Sequence, residues 1–313
     1  MNYTRSMRIK AFGENMWKNK ALLLLILPGF VLIVLFSYIP MGGLVLAFKE
    51  FNYTKGIWKS DWVGFDNIKF LFMSGDTAWR MIRNTIGYYV LFRVVGTIAN
   101  VSLAIALNEC RHKYFAKFSQ TIMIMPTFIS FIAISFIVSG LLADNGYVNN
   151  ILQSLGFEKI QFYIEPKYWP AILTLVHVWK ETGYGSVIYL SALAGMDQEM
   201  FEAADIDGAN RWQKIRYLTL PMLSSTIAIM TLLSLGNMMH SSTGLFYQVT
   251  RNIGALYPAT QTLDTYVLNA LSEGGSTFGI TAGVTFIQSV VGCFMTVVVN
   301  LIVRKISPEH SLF

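Results

Sequence analysis

The sequence predicts an all-α membrane protein of six transmembrane helices, with one long polar loop between the fourth and the fifth. Three observations carry that prediction. Of the 313 residues, 54% are hydrophobic and only 13% are charged, whereas soluble domains carry about a quarter charged residues. The apolar residues gather into runs long enough to cross ~30 Å of hydrocarbon. The Lys and Arg residues crowd into alternate segments between those runs, as cytoplasmic loops of membrane proteins do.

Residues 1–20 read as a basic, partly amphipathic tail. The first apolar run, 21–48, is too long and too poorly flanked for a cleaved leader, so it is expected to be a retained span. Pro28, Pro40 and the pair Gly42-Gly43 predict a kink or break near its outer end. Residues 49–79 are mixed and aromatic, with Trp58 and Trp62 suited to the membrane interface. The second span is expected at Ile82–Leu107, the third at Phe118–Leu142 and the fourth at Trp169–Met196. The fifth follows at Leu218–Met239 and the sixth at Ile280–Val303, before a short tail over 306–313. With the N-terminus inside, Arg5, Arg8, Lys10, Arg111, Lys113, Lys117, Arg211, Lys214, Arg216, Arg304 and Lys305 all fall on the inner side. Both termini and the loop 197–217 are therefore expected to be cytoplasmic.

The net charge of +6 is accounted for by those loops, and no nucleic-acid partner is expected. The two cysteines, Cys110 and Cys293, fall at an inner loop and inside a span, which argues against a disulfide or a metal site. The sequence has no CxxC, no HExxH and no glycine-rich phosphate loop. No catalytic residues, no metal ligands and no bound cofactor are expected on this chain.

The polar loop carries its own folding signals. Asp197 is a good N-cap, and Glu199 and Glu202 fall in the first turns, where carboxylates favour the positive end of a helix. Gln198–Ile206 then reads as a short helix. Gly208 supplies the left-handed residue that stops it. Asn210 and Gln213 match a capping box, so a second helix is expected from Arg211. Pro221 should bend the start of the fifth span. Together these predict a helix–turn–helix elbow lying at the membrane surface.

The order Glu202-Ala203-Ala204, three residues, Gly208, nine residues, Leu218-Thr219-Leu220-Pro221 resembles the EAA loop of permease subunits in bacterial ATP-binding-cassette importers. Leu218 stands where that family usually has Ile. The resemblance implies that 21–305 is a permease domain whose EAA-like loop couples it to an ATPase. Glu202, Ala203, Ala204, Asp207, Gly208, Arg211 and Pro221 would carry the coupling. It also implies two separate ATPase subunits that hold ATP and Mg, a second permease subunit forming a heterodimer, and an extracytoplasmic solute-binding protein. The setting would be a bacterial plasma membrane. Trp62-Val63-Gly64-Phe65-Asp66-Asn67, Trp79 and Asn84-Thr85 resemble the sugar-type, maltose-like branch. Leu263-Asp264-Thr265-Tyr266-Val267 is similar to the subgroup that imports oligosaccharides and polysaccharide fragments. The function implied is carbohydrate import by alternating access. An amino acid or peptide importer and an ion-coupled secondary transporter are the alternatives.

Charges inside spans are costly and often functional. Arg93 reads either as a strut within the bundle or as a group on the substrate path; His177, Lys180 and Glu181 read as packing and pairing groups in span four. A sugar path needs aromatic faces and hydrogen-bonding side chains. Trp179, Tyr184, Tyr189, Asn237, His240 and Tyr247 are the residues that fit that need. Gly183-Tyr184-Gly185-Ser186 and Gly195 predict close helix packing.

Overall fold

The computed structural model describes residues 18–73, 75–273 and 278–306. The tail 1–20, apart from its last three residues, and all but the first residue of the tail 306–313 lie outside them. The chain is almost wholly helical.

Helix α1, Lys20–Ile33, buries none of its residues. It continues through a π-turn at Val34–Tyr38 into a 3-10 segment, Gly42–Phe48, so the expected irregularity near the outer end of this span is present. A two-stranded antiparallel ribbon follows, with Lys49 opposite Trp62 and Glu50 opposite Asp61. Helix α2, Asp66–Met73, starts with the side chain of Asn67 close behind. The Asn67 amide donates to the carbonyls of Leu46, Ala47 and Lys49 at 3.3, 3.3 and 2.9 Å. One side chain thus closes the exposed end of the first span.

Helix α3, Asp76–Asn108, is the second span and has 33 residues. The third span was expected to run unbroken over Phe118–Leu142, and the structure corrects this. Helix α4, Lys113–Ile124, stops at a 3-10 turn over Met125–Phe128. Helix α5, Phe131–Leu142, starts afresh with the Ser130 hydroxyl capping Ala133 N–H at 3.2 Å. Pro126 explains the break, because it lacks the N–H that would continue the ladder. Helix α6, Tyr147–Ser154, follows α5 after a short turn.

Helix α7, Trp169–Ala194, has 26 residues and lies beside α3 along much of its length. Residues from both helices meet in one cluster with Tyr88, Trp169, Leu173 and Val176, and in another with Val101, Ala104, Tyr189 and Leu193. The glycines of α7 let two neighbours approach closely. A Cβ on Gly185 would meet the Asn100 side chain of α3, and one on Gly183 would land on the Met123 carbonyl of α4.

Helices α8, Gln198–Ile206, and α9, Arg211–Lys214, form the elbow. A π-turn at Ile215–Thr219 joins α9 to α10, Leu220–Ser234. Helix α11, Leu263–Glu273, and the last span, α12, Phe278–Ile306, complete the chain. Among the described residues, five helical segments are long and apolar enough to cross a membrane: Lys20–Phe48, Asp76–Asn108, Phe131–Ser154, Arg211–Asn237 and Phe278–Lys305. Helix α7, the expected fourth of six, has the length but not the hydropathy, because its middle carries His177, Lys180 and Glu181. Lys180 is buried, and its Nζ donates to the carbonyls of Pro126, Thr127 and Ile129 at 3.2, 2.7 and 2.8 Å. It satisfies the backbone that Pro126 leaves open.

Candidate functional site

Two regions hold the side chains singled out by the sequence. The first is the elbow. The Asp197 carboxylate accepts from Glu199 N–H at 3.0 Å and starts α8. Gly208 has φ +78°, and around it Gly208 N–H bonds Asp205 O at 3.1 Å and Ala209 N–H bonds Ala204 O at 2.9 Å. This is the paired Schellman closure of a helix end. Asn210 and Gln213 then cap α9 reciprocally, at 2.7 and 3.0 Å. Lys214 reaches back to Asp205 at 2.6 Å and ties the two arms together. The local fold therefore matches the expected elbow residue by residue.

The elbow presents a groove lined by Ala204, Asp207, Gly208, Ala209, Gln213, Lys214, Tyr217 and Leu218. Beside it, Ile206 and Trp212 stand 87% and 79% exposed. Glu202, Ala203, Asp207, Gly208, Arg211 and Pro221 are exposed, and Ala204 is half-buried. Large apolar side chains held out on a capped, polar turn are unusual on a surface that stays in water. The bend expected at Pro221 takes the form of the π-turn, in which Leu220 N–H bonds Ile215 O.

The second region is a half-open cavity of about 290 Å³ between α3, α7 and the segment after α10. From α3 come Tyr88, Tyr89, Phe92, Arg93, Gly96, Thr97 and Asn100; from α7 come His177, Val178, Glu181 and Thr182. Ser234, Asn237, His240, Ser241, Ser242 and Phe246 close it. Its size and its mixture of ring faces and polar groups suit a small organic ligand. The His177 ring stacks on Phe92 with centroids 4.2 Å apart. Tyr89 and Ser234 share a hydroxyl bond of 2.7 Å. Asp264 fixes the far wall: it accepts from Ser241 N–H at 2.6 Å, from Ser241 Oγ at 3.0 Å and from Gln288 Nε2 at 3.2 Å, and lies 3.3 Å from His240 Nδ1.

Of the six residues expected on a substrate path, the cavity brings together Asn237 and His240. Trp179 and Tyr184 are exposed and lie outside the cavity lining. Tyr189 is buried against Val101, Leu193 and Leu223, and Tyr247 stands outside the lining. Arg93, His177 and Glu181, read from the sequence mainly as struts and pairs, line the cavity instead. The sequence did hold a signal for this wall. Tyr89, Arg93, Thr97 and Asn100 recur at helical spacing through an otherwise apolar span.

Comparison with known proteins places these features. Protein LplB of Bacillus subtilis (strain 168) is 33% identical over 294 residues, covering 93% of this chain and 91% of its own. The polygalacturonan/rhamnogalacturonan transport system permease protein YteP of the same organism is 31% identical, covering 93% and 90%. Among solved structures, a bacterial ABC transporter involved in the import of the acidic polysaccharide alginate superposes with TM-score 0.84 at 28% identity, over 95% of this chain and 99% of that one. The bacterial alginate transporter in complex with an alginate pentasaccharide-bound periplasmic protein gives TM-score 0.83 at 28% identity, over 94% and 97%. Residues 94–308 match the family described as binding-protein-dependent transport system inner membrane component. That match takes in the elbow and most of the cavity wall, and the chain belongs to this family of multi-pass membrane transport components.

Proposed function

We propose that this chain is the permease subunit of an ATP-driven importer that moves a carbohydrate, most simply an oligosaccharide, by alternating access. The elbow carries this reading. It is a rigid, capped turn with exposed Ile206 and Trp212, rooted directly in helix α10, whose far end reaches the cavity. A push on such a lever is transmitted along a helix to the cavity wall, which links nucleotide state to cavity orientation. The chain itself performs no bond chemistry. ATP and Mg belong to two partner ATPase subunits, one of which receives the elbow, and the elbow faces the cytoplasm together with both termini. A second permease subunit supplies the other half of the pathway as a heterodimer, and an extracytoplasmic solute-binding protein delivers the sugar. The names of the polygalacturonan/rhamnogalacturonan permease and the alginate transporter support the substrate class.

The test is a mild-detergent pull-down of this chain from native membranes, followed by mass spectrometry, for the wild type and Gly208→Asp. At φ +78° a non-glycine residue is strained by about 1–2 kcal/mol, and the new carboxylate sits on the docking groove. The wild type should bring down an ATPase and a second multi-span protein. The variant should remain in the membrane with that ATPase depleted and sugar uptake lost. Normal uptake by Gly208→Asp would remove the lever role.

A further inference from the structure

Arg93 on α3 and Lys180 on α7 are both cations of the helical bundle, and the structure holds them differently. Lys180 is fully employed: three carbonyls accept from its ammonium. That is how a structural cation is held in this protein. Arg93, midway along α3, is not held so. Its guanidinium makes one hydrogen bond, to Thr231 Oγ1 at the long distance of 3.4 Å, and its Nε is shielded from solvent with no partner. Among the described residues it forms no ion pair. Glu181 lines the same cavity but stands too far away to pair with it. Two further buried atoms without partners, Asn100 Oδ1 and Thr182 Oγ1, belong to residues of that same wall.

A buried polar atom without a partner costs stability and marks a place where a ligand completes the bonding. The groups missing a partner define that ligand. A guanidinium fork is shaped for a carboxylate, which it binds through two parallel N–H···O bonds. Asn100 Oδ1 accepts from a hydroxyl, Thr182 Oγ1 can donate or accept, and Glu181 accepts from hydroxyls. A neutral sugar would leave the guanidinium of Arg93 with the long bond to Thr231 Oγ1.

We propose that the cavity selects an acidic oligosaccharide of the uronate type and that Arg93 binds its carboxylate. The proposal rests on the carbohydrate-permease reading above. Arg93 is then the residue that separates charged from neutral chains during transit, independently of any choice made by the binding protein.

The experiment measures equilibrium binding of a radiolabelled uronate trisaccharide and of its carboxyl-reduced counterpart. The assembled transporter is held in nanodiscs, without binding protein, as wild type, Arg93→Gln and Arg93→Lys. The expected result is about tenfold tighter binding of the acidic sugar by the wild type. That preference should be lost in Arg93→Gln and largely kept in Arg93→Lys, with subunit assembly intact in all three. Equal binding of both sugars by the wild type, or a preference unchanged in Arg93→Gln, overturns the proposal while leaving the carbohydrate reading in place. Loss of assembly in Arg93→Gln overturns it in favour of a contact with the second permease subunit. Binding of neither sugar, by a transporter whose ATP hydrolysis is stimulated by a loaded binding protein, overturns the carbohydrate reading and this proposal with it.

Discussion

Lys180 shows how one side chain can repair a break made far away in the chain. Pro126 interrupts the third span, and the carbonyls of residues 126, 127 and 129 turn to the ammonium of a residue in α7. Thr127 answers by donating its hydroxyl to Lys180 O at 2.8 Å. Replacing Lys180 with Met, similar in length but without donors, strands those acceptors. We expect Lys180→Met to lower stability by about 3 kcal/mol, read as a reduced Tm of the nanodisc-held protein. The amount of protein reaching the membrane should fall little. Individual residues were only partly legible in the sequence. Pairing within the bundle was the expected role of Lys180, but its acceptors lie more than 50 positions upstream. Asn237 and His240 do line the cavity, and polar groups at the end of an apolar run are conspicuous in the sequence. Tyr189 and Trp179 satisfied the same chemistry but not the geometry. Which way each faces depends on α3 and α10, which no local pattern in α7 encodes.

At the scale of elements, two of the three π-turns among the described residues share a cause. Val34–Tyr38 and Ile215–Thr219 each end two residues before a proline, Pro40 and Pro221, whereas Gly244–Val249 does not. A proline inside a helix clashes with the carbonyl four residues earlier and offers it no N–H. Widening the preceding turn by one residue relieves both problems without breaking the rod. The elbow was legible almost completely, because caps, a left-handed glycine and a capping box are signals confined to a few neighbouring residues. The break in the third span had a local signal in Pro126, but hydropathy reads the same whether or not a backbone is continuous. The extra residue in Ile215–Thr219 also aims the elbow. Deleting Arg216, which is exposed, should restore an ordinary α-helix and swing α8 and α9 by about 100° about the axis of α10. The variant should insert and yet fail to co-purify the ATPase. Co-purification at wild-type yield would mean that the heading of the elbow is unimportant.

Across the whole molecule, the five apolar segments and the less apolar α7 form one bundle, with the cavity walled by α3, α7 and the chain after α10. Helix α7 lines the cavity with His177 and Glu181 and buries Lys180, and these polar groups are what lower its membrane signal. Helix α1 is the opposite case. Its 14 residues bury nothing, and Leu25 and Phe36 on this first span are 77% and 76% exposed. The span meets the bundle only near its outer end, where Asn67 gathers the carbonyls of residues 46, 47 and 49. Helix α1 is therefore an interchangeable part. Exchanging residues 20–33 for an unrelated leucine-alanine helix of equal length should change bundle stability by less than about 0.5 kcal/mol. The same exchange over α12, where Gly279 and Gly283 back onto Asn67 and Gln288 holds Met239 O at 2.7 Å, should prevent folding. Sequence drift in α1 then answers to the bilayer and to whichever neighbour lies against it. Grafting that helix between related chains offers a way to change assembly partners without disturbing the transport path.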